Sequence, residues 1–404
     1  MTAISRETFD QVMVPNYAPA AIIPVRGEGV HLWDEQGNEY LDLAAGIAVN
    51  AVGHCHPKVV AALDHQASQL WHLSNAYTNK PILALAEKLV NATFAEKVFF
   101  ANSGGEANEA AFKLARKHAH NHFGAEKNEI IAFVNGFHGR TLFTVSVGGQ
   151  PKYTEGYEPL PGGITHIEFN NIEQLEDAIS ERTCAVVLEP IQGEGGILPA
   201  NADFLTKARE LCDRFNAALV FDEVQTGMGR TGDLYAYMGY GVIPDILTTA
   251  KALGGGFPMG AMLTTDHFAQ SMGIGSHGST YGGNALAGAV GNAVIDIINT
   301  EDVLQGVKQK GILMRDLLQT INDKYQVFDE IRGKGLMIGC GVVEKFQGKA
   351  KAFVGAGLQH GIMVLVAGPS TVRLVPSLLI TEEEIHEAMA RFERAVAQVV
   401  KESQ

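Results

Sequence analysis

The chain has 404 residues, a formal net charge of −14, 46% hydrophobic and 19% charged residues. At about 150 residues per domain this length calls for two or three lobes, and the composition is that of a folded α/β enzyme, which excludes a disordered or fibrous chain. The acidic balance excludes a general affinity for nucleic acid or acidic membranes, because phosphate would be repelled at long range, so an anionic ligand has to be held by local donors.

The N-terminal stretch MTAISRETFD carries acids where a signal peptide would have a basic start, and no later run approaches about 18 apolar residues. Residues 1–55 hold two short strand-like pieces, VHLWDEQG and EYLDLAAG, parted by a turn signal at Gln36-Gly37-Asn38. The cysteines Cys55, Cys184, Cys212 and Cys340 show neither CxxC nor zinc-like spacing. A reducing, cytoplasmic setting is expected, with no metal site and no membrane segment.

From about Lys97 to Thr265 short apolar runs alternate with amphipathic segments, which predicts a mainly parallel sheet covered by helices on both faces. The expected strands are KVFFAN, EIIAFVN, CAVVLEP, AALVFDEV, DILTTA and GAMLTT, nearly continuous apolar runs suited to burial on both sides. Ligands of open α/β sheets bind at the carboxyl ends of the strands, so the chemistry is sought where these runs end. Asn284–Tyr325 reads as a long helical region. The tail then runs IRGKGLMIGCGVV, GIMVLV, TVRLVPSLLI and a last helix opened by a capping box, Thr381 with Glu384. The expected division is a large domain over 56–326 and a smaller α+β domain built from 1–55 and 327–404.

Three strand ends carry candidate chemistry. Ser103-Gly104-Gly105 opens a strongly helical run, which makes it a phosphate cradle or, equally, an ordinary strand-to-helix turn. Asp222-Glu223 places two carboxylates at the sheet edge, where a carboxylate holds a metal, caps a helix or pairs with a protonated heterocyclic nitrogen. Metal is the least favoured, since no histidine or third acid sits at ligand spacing. Lys251 follows a strand directly and precedes three glycines; burial there would lower its pKa toward a neutral nucleophilic amine, the bland alternative being a solvated loop lysine. Two other matches carry less. Gly227 to Gly232 satisfies G-x-G-x-x-G, yet it follows two acids that would repel a pyrophosphate. His118, His120 and His122 share one helix without the Glu of HExxH and read as a solvated face.

Taken in order, GHCHP, NSGGEANEAAFKLAR, FHGRT, EPIQGEGG, FDEVQTGMGRTG, TTAKALGGGFPMGA, STYGGN and RGKGLMIG resemble the class III (omega) branch of the fold-type I aminotransferases over essentially the whole chain. Within that branch the sequence most resembles the N-acetylornithine and N-succinylornithine aminotransferases of arginine metabolism. The resemblance implies a seven-stranded, mainly parallel sheet in the large domain and pyridoxal 5'-phosphate as cofactor. Lys251 matches the lysine that carries it, and Asp222 the acid that keeps its pyridine nitrogen protonated. Gln225 matches the partner of the ring's phenolic oxygen, Phe137 the aromatic stacked on the ring, and Ser103, Gly104 and Gly105 the phosphate loop. Thr280 matches a phosphate ligand that reaches across from a second subunit, which implies a homodimer with shared sites.

For the substrates, Arg140 matches the arginine on the carboxylate end of an acylated ornithine, with Ser279 near it. Arg373 matches the arginine for the α-carboxylate of 2-oxoglutarate, and Glu194 the carboxylate that masks it. The segment AAGIAVN lacks the tyrosine with which ornithine δ-aminotransferases contact free ornithine, which favours an acylated substrate. The implied reaction passes the terminal amino group of N2-acetyl- or N2-succinyl-L-ornithine to 2-oxoglutarate. The alternatives are an ω-aminotransferase acting on ornithine, 4-aminobutyrate or lysine, a non-catalytic cofactor-binding regulator, and a dehydrogenase resting on Gly227 to Gly232 alone.

Overall fold

A computed structural model describes residues 4–403 of the chain. The N-terminal region forms β1 (Pro24–Glu28), β2 (His31–Asp34) and β3 (Glu39–Asp42), an antiparallel meander. Gly37, at φ +82°, turns the chain between β2 and β3, where the sequence has its turn signal.

The central sheet has seven strands: β4 (Lys97–Ala101), β5 (Glu129–Phe133), β6 (Ile164–Ile167), β7 (Thr183–Leu188), β8 (Ala218–Asp222), β9 (Ile246–Thr249) and β10 (Gly260–Thr264). Their order is β4-β10-β9-β8-β7-β5-β6. β10 alone runs against its neighbours, pairing antiparallel with β9 and β4. The six expected strands are all present. The seventh, β6, reads Ile-Thr-His-Ile; it lies at the sheet edge, half-exposed, and so lacks the apolar run that marks a doubly covered strand.

Helix α1 (Gly104–Phe123) covers one face of this sheet with Ala107, Ala110, Ala111, Phe112, Leu114 and Ala115, all buried. Alanine at four of these positions keeps the helix backbone close to the strands and costs no side-chain entropy. The long helical region is two helices, α2 (Ala285–Ile298) and α3 (Glu301–Tyr325), broken where Asn299 leaves helical geometry and Thr300 is extended ahead of α3.

The tail builds β11 (Phe328–Lys334), β12 (Met337–Val342), β13 (Ile362–Met363), β14 (Leu365–Val366), β15 (Thr371–Leu374) and α4 (Glu382–Glu402). β13 pairs in parallel with β3, so the two ends of the chain share one sheet. The capping box is formed: Glu384 N donates to Thr381 Oγ1 at 3.2 Å and Thr381 N to Glu384 Oε2 at 2.7 Å. No helix among the described residues is long and apolar enough to cross a membrane.

Candidate active site

The parallel strands deliver their functional residues to one sheet edge. β4 runs into Asn102 and Ser103, whose hydroxyl caps α1 by accepting from Glu106 N at 3.2 Å. Gly104 and Gly105 follow as the first two helical residues, where backbone N–H groups have no partner within the helix and the dipole is positive. A Cβ on Gly104 would stand 2.7 Å from Val224 Cγ1, whereas one on Gly105 meets nothing nearer than 3.8 Å. The first glycine is demanded by space and the second is not.

β8 ends on Asp222 and Glu223, and the structure separates the two acids. Glu223 turns away and accepts from the amides of Ala236 and Tyr237 at 2.6 and 2.8 Å and from Thr226 Oγ1 at 2.9 Å, capping the helix Ala236–Tyr240. Burial pushes its carboxyl up to about 7. Asp222 faces the cavity. Its Oδ2 accepts from Asn108 Nδ2 at 2.7 Å and His138 Nδ1 at 2.8 Å, and its Oδ1 from Val224 N at 3.0 Å. Asn108 is itself fixed, donating to the His138 carbonyl and accepting from Thr248 Oγ1, both at 2.7 Å. Burial alone would depress His138, yet its hydrogen bond and charge contact with Asp222 hold it above the ordinary histidine value.

Lys251 leaves β9 with φ +45°, a left-handed conformation that a lysine holds only where its surroundings impose it. Enclosure lowers its amine to about 8, against the opposing pull of Glu194, Glu189 and Asp222. It lines a cavity of about 310 Å³ together with Ser103, Gly104, Gly105, Phe137, Asp222 and Gln225. Helix-end donors, an aromatic face, a buried carboxylate and a lysine thus surround one space. That donor set fits pyridoxal phosphate: an anion at the α1 end, a ring against Phe137, a ring nitrogen toward Asp222 and an aldehyde carbon toward Lys251.

A second cavity of about 720 Å³ adjoins the first, since Lys251 and Phe137 line both; Arg140, Tyr153, Glu194, Gly46 and Ile47 border it. Residues Ala45 to Ala48 all have positive φ, a left-handed turn. Such backbone costs roughly 1–2 kcal/mol per non-glycine residue, and Asp42 offsets part of that by accepting from the amides of Ala44 and Ala45 at 2.9 and 2.8 Å. Arg140 is exposed and makes no ion pair among the described residues. Arg373, on β15, is the opposite: it is 2% exposed, bonded through Nη1 to Glu194 Oε1 at 2.5 Å and Gln225 Oε1 at 3.1 Å. Burial opposes ionisation of Glu194, but the Arg373 charge keeps it below the ordinary carboxylate range.

The aminotransferase class-III family model matches residues 12–396. The chain belongs to the class-III aminotransferases. It is 60% identical over 396 residues, covering 98% of both chains, to the acetylornithine aminotransferase of Shewanella oneidensis. It is 59% identical over 398 residues, again 98% of both, to the succinylornithine transaminase/acetylornithine aminotransferase of Pseudomonas aeruginosa. Its fold matches the crystal structure of N-acetylornithine aminotransferase from Stenotrophomonas maltophilia with a TM-score of 0.87 at 42% identity, covering 98% of this chain and 99% of that one.

In this class-III aminotransferase, eight of the residues singled out in the sequence, Ser103, Gly104, Gly105, Phe137, Asp222, Gln225, Lys251 and Glu194, meet around the joined cavities, with Arg140 at the outer wall. Arg373 reaches the same place through its bonds to Glu194 and Gln225. Ser279 and Thr280 line neither cavity of their own chain: Ser279 Oγ accepts from Asn102 Nδ2 at 3.1 Å and from Gly282 N at 3.0 Å, and Thr280 is exposed. Ser279 is therefore placed beside Asn102 and not along the Arg140 wall of this chain.

The reading of the histidine run as a solvated face is corrected at His118. It is buried, stacked on Phe268 at 4.1 Å with Nδ1 3.1 Å from Ser271 Oγ, and burial, with His122 and His267 beside it, pushes it down to about 4. The Gly227 to Gly232 turn offers no nucleotide cradle: Arg230 is drawn into the core, donating to the carbonyls of Leu336 and Pro376, and Glu223 occupies the start of the next helix. Asn108, His138 and Glu189 were not singled out. Asn108 had a signal, a polar residue one turn beyond Gly104 on the apolar stripe of its helix; His138 lay inside FHGRT, overshadowed by its neighbours. Glu189 accepts from Phe137 N and Gly193 N, both at 2.9 Å, and so ties two site loops together.

Proposed function

We propose that the protein binds pyridoxal 5'-phosphate in the inner cavity and transfers the terminal amino group of N2-acetyl-L-ornithine, N2-succinyl-L-ornithine or both to 2-oxoglutarate, giving an N-acylglutamate 5-semialdehyde and glutamate. The observation that carries the substrate side is the contrast between two arginines about Lys251. Arg140 stands at the wall of the larger cavity with no ion pair among the described residues, while Arg373 is masked by Glu194. An amine with no carboxylate beside the reacting nitrogen, only remote ones, suits Arg140 and leaves Arg373 covered; a keto acid with a carboxylate beside its carbonyl needs Arg373 opened. The names of the relatives at 60% and 59% identity support the same substrates.

When bound, the cofactor supplies an electron-withdrawing ring that takes up the electron pair released at the amine-bearing carbon. The remaining work falls to the chain. The backbone donors of Gly104 and Gly105 with Ser103 would hold the phosphate, Phe137 would cover the ring face, and Gln225 would address the phenolic oxygen. Asp222, held by Asn108 and His138, would pair with the protonated ring nitrogen. Lys251 Nζ, lowered to about 8, would serve as the base that moves a proton at the amine-bearing carbon.

Domain bounds and assembly belong to this proposal too: a large domain over 56–326, a small one from 1–55 and 327–404, and a cytoplasmic homodimer. The pairing of β3 with β13 supports the division. For the dimer, exposed Trp71, Leu73 and Tyr77 adjoin exposed Tyr281, with Asn75 Nδ2 donating to the carbonyls of Ser279 and Gly282 at 2.9 and 3.1 Å. A second copy on this aromatic face would meet Ser279 and Thr280 together.

The test follows cofactor absorbance of the purified protein, without keto acid, on adding N2-acetylornithine, N2-succinylornithine, ornithine and 4-aminobutyrate in turn. Fast bleaching by an acylornithine, with the other amines slow, is expected. Preference for a free diamine or 4-aminobutyrate would leave the cofactor chemistry standing and overturn the substrate assignment.

A further inference from the structure

Arg140 makes no ion pair or side-chain hydrogen bond among the described residues, and long exposed side chains lose rotamer entropy when a ligand fixes them. Yet its guanidinium is not loose. Its Cζ lies 3.6 Å from the centroid of the Tyr153 ring, over the face, and 5.5 Å from that of Phe137. Tyr153 in turn meets Phe137 edge to face, with centroids 6.1 Å apart and planes at 83°. The backbone beneath Tyr153 is set by a tight turn, Pro151–Tyr153: Tyr153 N donates to the Gln150 carbonyl at 3.0 Å, and the buried Gln150 side chain is bonded to the Asn135 carbonyl at 3.1 Å. Tyr153 and Arg140 border the same cavity as Lys251.

We infer that Tyr153 is a positioning residue: its ring face holds the Arg140 guanidinium in place, edge toward the cavity, so that a carboxylate on the incoming molecule is met by a preset fork. A guanidinium stacked parallel to an aromatic face keeps its N–H groups in its own plane, directed outward past the ring and free for bidentate contact, so the stack and the carboxylate do not compete. The same platform would serve any substrate whose carboxylate reaches Arg140. The inference rests on the reading of Arg140 as a carboxylate anchor, and it goes beyond it by assigning the group that sets the anchor's geometry.

The probe is glutarate, an unreactive dicarboxylate, titrated calorimetrically into the cofactor-loaded enzyme. Tyr153→Leu is expected to weaken glutarate about fivefold, which is about 1 kcal/mol at 1.4 kcal/mol per factor of ten. Tyr153→Phe, which keeps the ring, should bind as the parent does, and Tyr153→Leu should have no further effect in an Arg140→Ala background. Steady-state rates should show KM for a carboxylate-bearing amine raised about fivefold with kcat within about twofold, and KM for the carboxylate-free 1,4-diaminobutane unmoved. Unchanged glutarate binding in Tyr153→Leu, an equal loss in Tyr153→Phe, or the same loss without Arg140 would each overturn the inference. Retained melting temperature and cofactor absorbance show that the variant folds, and Tyr153→Met replaces it where they fall. Rejection of both acylornithines by the parent enzyme would overturn the substrate reading alone, because the glutarate comparison does not depend on it.

Discussion

At the residue level the decisive quantity is the protonation of Lys251. An ordinary lysine at pH 7 is neutral about once in three thousand molecules, whereas one lowered to about 8 is neutral about once in ten. Capture of pyridoxal phosphate by cofactor-free protein should therefore accelerate with pH through a midpoint near 8, followed by rapid-mixing absorbance; a midpoint near 10 would show that the lysine is not enclosed. The same shift has a stability consequence. Between about 8 and 10.5 the unfolded lysine keeps a proton that the folded one has released, so this group makes the cofactor-free protein more stable as pH rises through that window. Lys251→Ala should lose turnover altogether and the pH-dependent capture with it. The sequence marked this lysine because it leaves an apolar strand, but it held no measure of the enclosure, since Glu194 and Arg373 arrive from segments far along the chain.

At the level of elements, the phosphate end depends on how closely α1 approaches the turn after β8. Gly104→Ala would force a methyl group against Val224 and should lower the melting temperature and loosen cofactor binding, by an amount typical of overpacking, about 1–3 kcal/mol. Gly105→Ala has room and a helical position, so it should be neutral or stabilising by up to about 1 kcal/mol. Thermal unfolding of the two variants compares them directly, and equal losses would contradict the packing argument. Elements buried on both faces were legible from sequence because continuous apolar runs have few other uses. Those that failed to show were peripheral: β1, mostly exposed, and β6, at the sheet edge. The break between α2 and α3 was also missed, since both sides carry apolar residues at helical spacing and only Asn299-Thr300 marks it.

For the whole molecule, an acidic protein that must hold an anionic cofactor and two carboxylate substrates concentrates its donors at one sheet edge, and the sequence gives the overall charge without showing that concentration. The exposed aromatic face about Trp71, Tyr77 and Tyr281 should be covered in solution. Sedimentation equilibrium is expected to give twice the 43.3 kDa chain mass. Dilution below the dissociation constant of the dimer should release cofactor in step with dissociation; monomers that keep it at unchanged affinity would contradict shared sites.

The pairing of Glu194 with Arg373 also bears on concentration. If a keto acid binds through Arg373, as proposed, it would do so only in the fraction of molecules where the Glu194 carboxylate has swung aside, and its apparent dissociation constant would be the intrinsic one divided by that fraction. A guanidinium covered for about ninety-nine parts in a hundred would raise it about a hundredfold. An amine donor that leaves the pair closed would carry no such penalty. On that proposal one internal ion pair would give the two halves of the catalytic cycle different thresholds, and net flux would be most responsive to the supply of the amino-group acceptor.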